Sequence, residues 1–208
     1  MFTLYSADFT GNPGNCSYPH KTVVMNTDNL REAVCHDYVC AEYKNHYRNG
    51  ENFISADCLP VDCDNDHSED PKDWVTPADV LEAFPGVSIA IHYSRFNNRE
   101  KNGKPARPKF HVLFPIDRMT DATLYSDMKK LVNSIFPYFD TKALDAARFF
   151  FGTQEPNVEL YPGRMNLTEF LNNDEFDAGL PGGHKKDAVI PEGSRNAVMS
   201  RFAGIVIK

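Results

Sequence analysis

Three aspartates stand at alternate positions directly after an apolar, strand-like stretch: Asp62, Asp64 and Asp66 follow residues 53–61. In a strand, alternate side chains project from the same face, so the carboxylates of Asp62 and Asp64 are expected side by side. Two like charges this close repel and raise each other's pKa unless a divalent cation lies between them. The pattern therefore predicts half of a metal site whose hard oxygen ligands suit Mg²⁺ or Mn²⁺ bound together with a phosphate substrate.

Two other interpretations of this acidic segment stay open. A calcium loop would take Asp62, Asp64 and Asp66 as its first three ligands, with Asp73 at the twelfth position. However, His67 occupies the sixth position, where that loop requires Gly, and a strand precedes the segment instead of a helix. A solvated acidic turn is the simpler alternative, because Asp, Asn and Ser are ordinary loop formers.

A second concentration of charge is basic. The segment 95–109 contains six basic residues against a single acid, Glu100, although the whole chain has a formal net charge of −7. The overall acidity argues against a general nucleic-acid coating protein, whereas a basic segment in one place indicates that a polyanion binds there. A solvated basic loop is the alternative. The six residues are Arg95, Arg99, Lys101, Lys104, Arg107 and Lys109.

Phosphoryl transfer explains both segments together with a third feature, Asp145 followed three residues later by Arg148. Metal ions bridged by carboxylates stabilise the attacking and leaving oxygens, while cationic side chains hold the remaining phosphate charge. We therefore assign catalytic and metal-binding roles to Asp62, Asp64 and Asp145. The nucleotide-binding candidates are His111, Lys109, Arg107 and Arg148, and the DNA-binding candidates are Arg95, Arg99, Lys101 and Lys104.

The elements that position these residues follow from the hydrophobic pattern. Apolar and alternating runs predict strands at 2–5, 22–25, 53–61, 87–93, 109–115, 149–151 and 157–161. Helical spacing and caps predict helices from Thr27 through Leu30, Val34, Tyr38 and Ala41, from Thr76 to Phe84, and from Thr120 to Phe136. The strands at 87–93 and 109–115 form a hairpin with a long basic connection. This order predicts a mixed α+β sheet and not a regular parallel βαβ array.

Composition bounds the class of protein. With 208 residues, 41% hydrophobic and 25% charged, the chain has the composition of an ordinary soluble globular protein. No run approaches the roughly 18 apolar residues of a membrane span, and the start lacks the basic residues of a signal peptide, so we expect no membrane contact and a cytoplasmic location. Five cysteines without close pairing predict reduced thiols. Spacing gives only weak support to a zinc site from Cys16, His20, Cys35, His36 and Cys40.

Three short motifs, in this order, resemble those of the archaeo-eukaryotic primase superfamily, in particular the primase-polymerases of phages and other mobile elements. The first, an apolar stretch before Asp-x-Asp, is Leu59-Pro60-Val61-Asp62-Cys63-Asp64. The second, a strand histidine after small or basic residues, is Arg107-Pro108-Lys109-Phe110-His111, with Lys109 where the family often has Ser. The third is Leu144-Asp145, followed by Arg148. The resemblance covers about residues 30 to 165.

This resemblance implies a catalytic sheet of RNA-recognition-motif type with an N-terminal α/β lobe packed against it. It implies template-directed nucleotide addition by a DNA primase and DNA polymerase, with two Mg²⁺ or Mn²⁺ ions, a single-stranded DNA template and nucleoside triphosphates. It also favours Asp145 over Asp140 as the third acid, because Asp145 stands three residues before Arg148. A non-catalytic module that binds single-stranded DNA stays open as an alternative, and a metal-dependent nuclease is a weaker one.

The same reasoning predicts how the chain is divided. The catalytic domain is expected at 1–171, followed by a polar, Gly- and Pro-rich linker at 172–193. Apolar residues at 194–208 predict a helix capped by Ser194. Residues 193–196, Gly-Ser-Arg-Asn, resemble the start of the helical accessory domain of mobile-element primase-polymerases, often with a helicase beyond it. The chain is thus predicted to be part of a longer protein, and a C-terminal helix that completes the core is the alternative.

Overall fold

The computed structural model of this protein describes residues 1–101 and 103–172. Within them lie two antiparallel sheets and four helices, in agreement with the predicted α+β class. The strands are β1 Phe2–Ser6, β2 His20–Val24, β3 Tyr38–Val39, β4 Ala41–Tyr43, β5 Phe53–Cys63, β6 Ile89–Tyr93, β7 Phe110–Met119, β8 Phe149–Phe150 and β9 Val158–Tyr161. The helices are α1 Thr27–Val34, α2 Pro77–Ala83, α3 Ala122–Ile135 and α4 Leu167–Leu171.

The C-terminal part of the chain is not among the described residues. Beyond Asn172, both the linker and the helix predicted at 194–208 lie outside the described residues. Among the residues that are described, every helix is too short or too polar to cross a membrane. The likeness of the sheet to an RNA-recognition motif stays a prediction.

The five-stranded central sheet, ordered β4-β5-β7-β6-β9, separates two apolar cores. Alternate residues of a strand face opposite sides of its sheet. Leu59 and Val61 of β5 therefore lie in the larger core, with residues of α2, α3 and α4, while Cys58 lies in the smaller core with residues of α1. Because both faces are covered, β5 and β7 are almost continuously buried.

Polar side chains occupy one end of the face that carries the smaller core. Asp62 of β5 is paired in register with His111 of β7, and His111 is paired with His92 of β6. Asp62 shares its face with Cys58, and His111 shares its face with Leu113, because side chains an even number of residues apart on a strand project the same way. The register therefore brings two histidines and an aspartate together below the second sheet.

The second sheet, ordered β2-β1-β3-β8, covers this polar end. Its strand β8 comes from late in the chain and pairs Phe150 with Tyr38 of β3. The Phe150 ring lies 5.7 Å from the Tyr38 ring and 4.7 Å from the His111 ring, measured between centroids. Gly152 permits this approach, because a Cβ at that position would lie 2.1 Å from the carbonyl oxygen of His36.

Helix α1 is shorter than the sequence pattern predicts. The prediction that the helix continues to Ala41 is wrong, because α1 ends at Val34 and strand β3 follows. The cause is Asp37, whose buried carboxylate accepts hydrogen bonds of 2.9–3.0 Å from the backbone N–H groups of Gly11, Asn12 and Gly152. These bonds fix the chain in an extended path between β1 and β8, where its apolar residues are buried on both faces.

The other predicted elements are present with small shifts at their ends. Helix α3 begins after Asp121, whose side chain, and not that of Thr120, accepts hydrogen bonds from the first turn. Helix α2 has the predicted Thr76 cap, in a capping box with Asp79. Strands β6 and β7 form the predicted antiparallel hairpin. Helix α4 has no counterpart among the predicted elements.

Candidate metal centre

Three aspartates form a cluster at the polar end of the central sheet. One carboxylate oxygen from each of Asp62, Asp64 and Asp140 lies within 4.8 Å of the others. Asp62 and Asp64 come from the end of β5, and Asp140 comes from the turn after α3. The backbone N–H of Asp140 donates a hydrogen bond of 2.7 Å to the carbonyl oxygen of Asp62, which fixes this turn against the strand. Long-range packing therefore brings the three acids together.

Asp62 is the most buried acid of the cluster, with 8% of its surface exposed. Its Oδ1 has no hydrogen-bond partner among the described residues. Burial, followed by the negative charge of Asp64, raises the pKa of Asp62 to about 7. A buried carboxylate oxygen without a partner is costly, and a cation between the acids would both satisfy it and remove their repulsion. Asp62 is therefore not part of a solvated acidic turn, whereas residues 66–73 form a mostly exposed loop.

The residues of the cluster fit a hard divalent cation. Carboxylate oxygens are the ligands that Mg²⁺ and Mn²⁺ prefer. Asp64 is partly exposed, so a substrate can reach the cluster from its side. One oxygen of Asp140 accepts a hydrogen bond from the backbone N–H of Lys142, which orients the carboxylate and leaves its second oxygen for a metal ion.

The calcium loop is not formed. Asp66 points to Lys104, with 3.2 Å between its Oδ1 and the lysine Nζ. Asp73 accepts a hydrogen bond from the hydroxyl group of Ser68. Neither acid belongs to the cluster that the described residues form. Of the four acids considered for a calcium loop, Asp62 and Asp64 are therefore metal-ligand candidates, while Asp66 and Asp73 make contacts within the loop.

A cation and a neutral histidine flank Asp62. Nη2 of Arg148 lies 3.9 Å from its Oδ2, and Nε2 of His111 lies 3.8 Å from its Oδ1. The Arg148 guanidinium is also 5.8 Å from the centroid of the Phe150 ring. Burial lowers the pKa of His111 to about 3, so this histidine is uncharged near neutral pH. The structure thus brings two of the four nucleotide-binding candidates to Asp62.

The other two candidates make different contacts. Lys109 Nζ is 3.0 Å from Oδ1 of Asp64 and also donates to the Asp64 carbonyl oxygen, so it neutralises the acid cluster directly. Arg107 is fully buried and binds the loop after β5: it donates to the carbonyl oxygen of Asn65 at 2.7 Å and to Glu69 at 2.9 Å. Nη1 of Arg107 also lies 3.7 Å from Oδ1 of Asp66, so its observed contacts hold that loop.

Asp145, assigned above as the third acid, lies outside the cluster. Its exposed carboxylate accepts a hydrogen bond from the backbone N–H of Ala147, and its carbonyl oxygen accepts one from Lys129. Asp140, which the sequence pattern ranked second, occupies the third position instead. The spacing before Arg148 favours Asp145, but both acids stand in the segment between α3 and β8, and the packing of that segment decides which of them reaches the cluster.

Cationic and aromatic side chains contact one another in a row that includes Phe149, the residue after Arg148 in the chain. Arg48 lies 4.8 Å from the Phe149 ring, which is 5.0 Å from the Phe151 ring. Arg95 stacks on Phe151 at 4.2 Å and lies 5.2 Å from Phe96, and Lys101 Nζ lies 4.5 Å from Phe96. All of these side chains are at least partly exposed. We call this set the cation–aromatic row: Arg48, Phe149, Phe151, Arg95, Phe96 and Lys101.

The row includes two of the four predicted DNA-binding residues, Arg95 and Lys101. Of the other two, Arg99 is exposed and Lys104 is partly neutralised by Asp66. Sequence reasoning missed Arg48 and the three phenylalanines of the row, although Phe149-Phe150-Phe151 beside Arg148 is a visible signal for two of them.

Sequence reasoning also missed His92 and Tyr38, which contact His111. The signal for His92 is a histidine in an otherwise apolar strand that neighbours the strand of His111. The cysteines and histidines considered for zinc do not assemble, because the acid cluster is the one candidate metal-binding group in the described residues.

Comparison with known proteins gives little to add to this geometry. No protein-family model matches the sequence, and no curated protein matches it. A solved structure, the AEP domain of the primase-polymerase (PrimPol) of cyanophage S-2L, is similar over 78% of this chain and 81% of its own. The two share 13% identical residues with a TM-score of 0.43. At that score the similarity supports no statement about function, which rests on the side chains described above.

Proposed function

We propose that this protein is a template-directed nucleotidyltransferase, a DNA primase and polymerase that serves replication of a phage or mobile element. The observation that carries this proposal is the buried Oδ1 of Asp62, which has no hydrogen-bond partner in the described part of the chain and lies inside a cluster of three acids. Cations lie on two sides of the cluster, Lys109 at Asp64 and Arg148 at Asp62. Acids that bind metal beside cations that bind phosphate are the parts that phosphoryl transfer needs.

Asp62, Asp64 and Asp140 would hold two Mg²⁺ or Mn²⁺ ions. Such ions supply Lewis-acid stabilisation of the attacking and leaving oxygens. In the reaction, a 3′-oxygen forms a bond to the α-phosphorus of the nucleotide while the bond to the β-phosphate breaks and pyrophosphate leaves. Arg148 provides positive charge for the triphosphate, and His111 provides a neutral ring nitrogen beside Asp62. Both act on charge that moves in the transition state.

The template strand is assigned to the cation–aromatic row. Single-stranded nucleic acid binds where aromatic rings stack on bases and cations follow the phosphates. The row begins at Phe149, next to Arg148 in the chain, and continues through Phe151 and Arg95 to the basic segment. The motif order that resembles primase-polymerases agrees with this arrangement.

A non-catalytic module that binds single-stranded DNA is the second candidate, because the row favours such binding without any need for metal. The two functions differ in the acids, since a binding module has no use for a buried acid cluster. A nuclease is disfavoured because Lys109 and Arg148 suit a triphosphate better than an attacking water.

Primer synthesis and extension on a single-stranded template, with ribo- or deoxynucleotides and with Mg²⁺ or Mn²⁺, tests the proposal. Asp62→Asn should lower incorporation on the order of 10³-fold, because Lewis-acid stabilisation contributes several kcal/mol and 1.36 kcal/mol is tenfold. Binding of single-stranded DNA should persist in this variant. Asp28→Asn, an exposed acid on α1, is the matched control. DNA binding without incorporation by the wild type under every condition would leave the binding module as the function.

A further inference from the structure

A buried polar group connects His111 to residues that the proposed function does not use. The hydroxyl oxygen of Tyr38 lies 3.0 Å from Nδ1 of His111 and 3.1 Å from Nδ1 of His92. The two Nδ1 atoms are 3.3 Å apart, and the three residues are buried. At its other side, Nε2 of His92 lies 3.1 Å from Oγ1 of Thr153. The group therefore runs from Thr153 to the acid cluster through three side chains.

Counting hydrogens shows that one Nδ1 of the pair is protonated and the other is not. If both were protonated, two N–H groups would face each other at 3.3 Å and the Tyr38 hydrogen would have no acceptor in the group. If neither were protonated, one hydroxyl hydrogen would have to serve three contacts. With one protonated nitrogen, that N–H and the Tyr38 O–H together satisfy the group. Burial, which disfavours the charged form of both rings, agrees with two neutral imidazoles.

The surroundings of the two Nε2 atoms decide which ring has which tautomer. Nε2 of His111 lies 3.8 Å from Oδ1 of Asp62, which has no hydrogen-bond partner among the described residues and only accepts when this carboxyl is ionised. Nε2 of His92 faces the hydroxyl group of Thr153, which can donate. His111 is therefore the ring with hydrogen on Nε2, and His92 is the ring with hydrogen on Nδ1.

We propose that Tyr38, His92 and Thr153 are positioning residues that hold His111 as the Nε2–H tautomer, so that it donates a hydrogen bond to a phosphate oxygen of the bound nucleotide. The hydroxyl of Thr153 donates to His92 Nε2, His92 Nδ1–H donates to the Tyr38 oxygen, and Tyr38 O–H donates to His111 Nδ1. The donor role toward phosphate rests on the proposed function, whereas the tautomer does not.

This arrangement gives the site an uncharged hydrogen-bond donor, the His111 Nε2–H, with a fixed orientation. The His111 ring is also packed 4.7 Å from Phe150 and 5.1 Å from the His92 ring, so its plane is fixed. A ring with the opposite tautomer would present a lone pair to the carboxylate and to any phosphate, and both contacts would be repulsive. Partners that orient a functional histidine in this way commonly matter ten- to a hundred-fold for activity or affinity.

Nitrogen NMR of the full chain with ¹⁵N-labelled histidine, recorded at about pH 8.5 without metal, where the Asp62 carboxyl is ionised, tests the tautomer directly. Signals are assigned with His92→Gln and His111→Gln. We expect hydrogen on Nε2 of His111 and on Nδ1 of His92. The opposite pair, with hydrogen on Nδ1 of His111, would overturn the proposal, as would equal populations of the two tautomers.

Two variants extend the test to activity. Tyr38→Phe keeps the ring and removes the hydroxyl group, so that Nδ1 of His111 keeps only the contact to Nδ1 of His92 among the described residues. Either of these two nitrogens can be the donor in that contact. We therefore expect the second tautomer to appear and the apparent KM for the nucleotide to rise about tenfold. Tyr125→Phe removes another buried hydroxyl, which donates to the Cys58 carbonyl, and is the matched control. Thr153→Val should shift the tautomer in the same direction, and Thr153→Ser should restore it.

The outcomes separate this proposal from the proposed function. A wild type that has the Nε2–H tautomer but never incorporates nucleotide would overturn the nucleotidyltransferase and support the tautomer assignment. An active wild type whose KM is as insensitive to Tyr38→Phe and Thr153→Val as to Tyr125→Phe would overturn the positioning role and leave the nucleotidyltransferase in place.

Discussion

Replacing Asp62 by Asn should stabilise the metal-free protein above pH 7. The folded chain holds this carboxyl in a buried site beside Asp64, where the pKa is about 7 instead of 3.8. Asn has nearly the same shape and no charge, so it fills the site without the repulsion. The variant that should abolish catalysis is therefore expected to fold better than the wild type when no metal is present.

The raised pKa of Asp62 gives both the sign and the magnitude of this change in stability. Between about pH 4 and pH 7 the folded chain binds more protons at Asp62 than the unfolded chain, so wild-type stability falls as pH rises through this window. Since a tenfold change in acidity is 1.36 kcal/mol, the ionised carboxylate costs the folded state about 4 kcal/mol above pH 7. At about 2–4 °C per kcal/mol for a chain of this size, Asp62→Asn should raise the Tm on the order of 10 °C at pH 8.

Thermal unfolding in a chelator, from pH 4 to pH 8, measures this difference, with Asp28→Asn as the control. The gain in Tm for Asp62→Asn should be small at pH 4 and largest at pH 8. Added Mn²⁺ should then raise the Tm of the wild type much more than that of Asp62→Asn, because an ion that binds only the folded chain stabilises it. Equal Tm values at pH 8 in chelator, or an equal response to Mn²⁺, would refute the reasoning.

Three more predictions concern other charges. Arg148→Ala should raise the apparent KM for the nucleotide about tenfold or more in steady-state extension, since hydrogen bonds to charged groups contribute about 1.5–3 kcal/mol. Arg31→Ala, at an exposed position, is the control, and a KM for Arg148→Ala equal to that of this control would contradict the prediction. Burial lowers the pKa of Lys129 from 10.5 to about 8, so the folded chain binds fewer protons and gains stability as pH rises between these values. In urea unfolding, the stability difference between Lys129→Met and wild type should change by about 3 kcal/mol over that window; a constant difference refutes it. Neutralising Arg99, Lys101 and Lys104 should make the affinity for single-stranded DNA depend less steeply on salt concentration. An unchanged salt dependence would show that the basic loop is only solvated surface.

The sequence by itself determined the elements that present the candidate site. Apolar residues before Asp62 predict a strand that ends in acids, and the structure ends β5 at Cys63. The strand with His111 and its hairpin partner were also predictable, because β-propensity and the long polar connection are local signals. Helix α3 follows from its apolar stripe. Each of these depends on residues that are close in the chain.

The tertiary structure alone decided which side chains meet. The sequence favours Asp145 over Asp140, but in the structure a hydrogen bond from the Asp140 N–H to the Asp62 carbonyl oxygen holds Asp140 at the cluster. Lys129 donates to the Asp145 carbonyl oxygen, and the Asp145 carboxylate lies outside the cluster. In the same way, Arg107 binds the loop after β5 while its neighbour Lys109 reaches Asp64. Motif spacing predicts the types of residue at a site, but a contact between distant residues depends on strand register and loop packing, which no local pattern encodes.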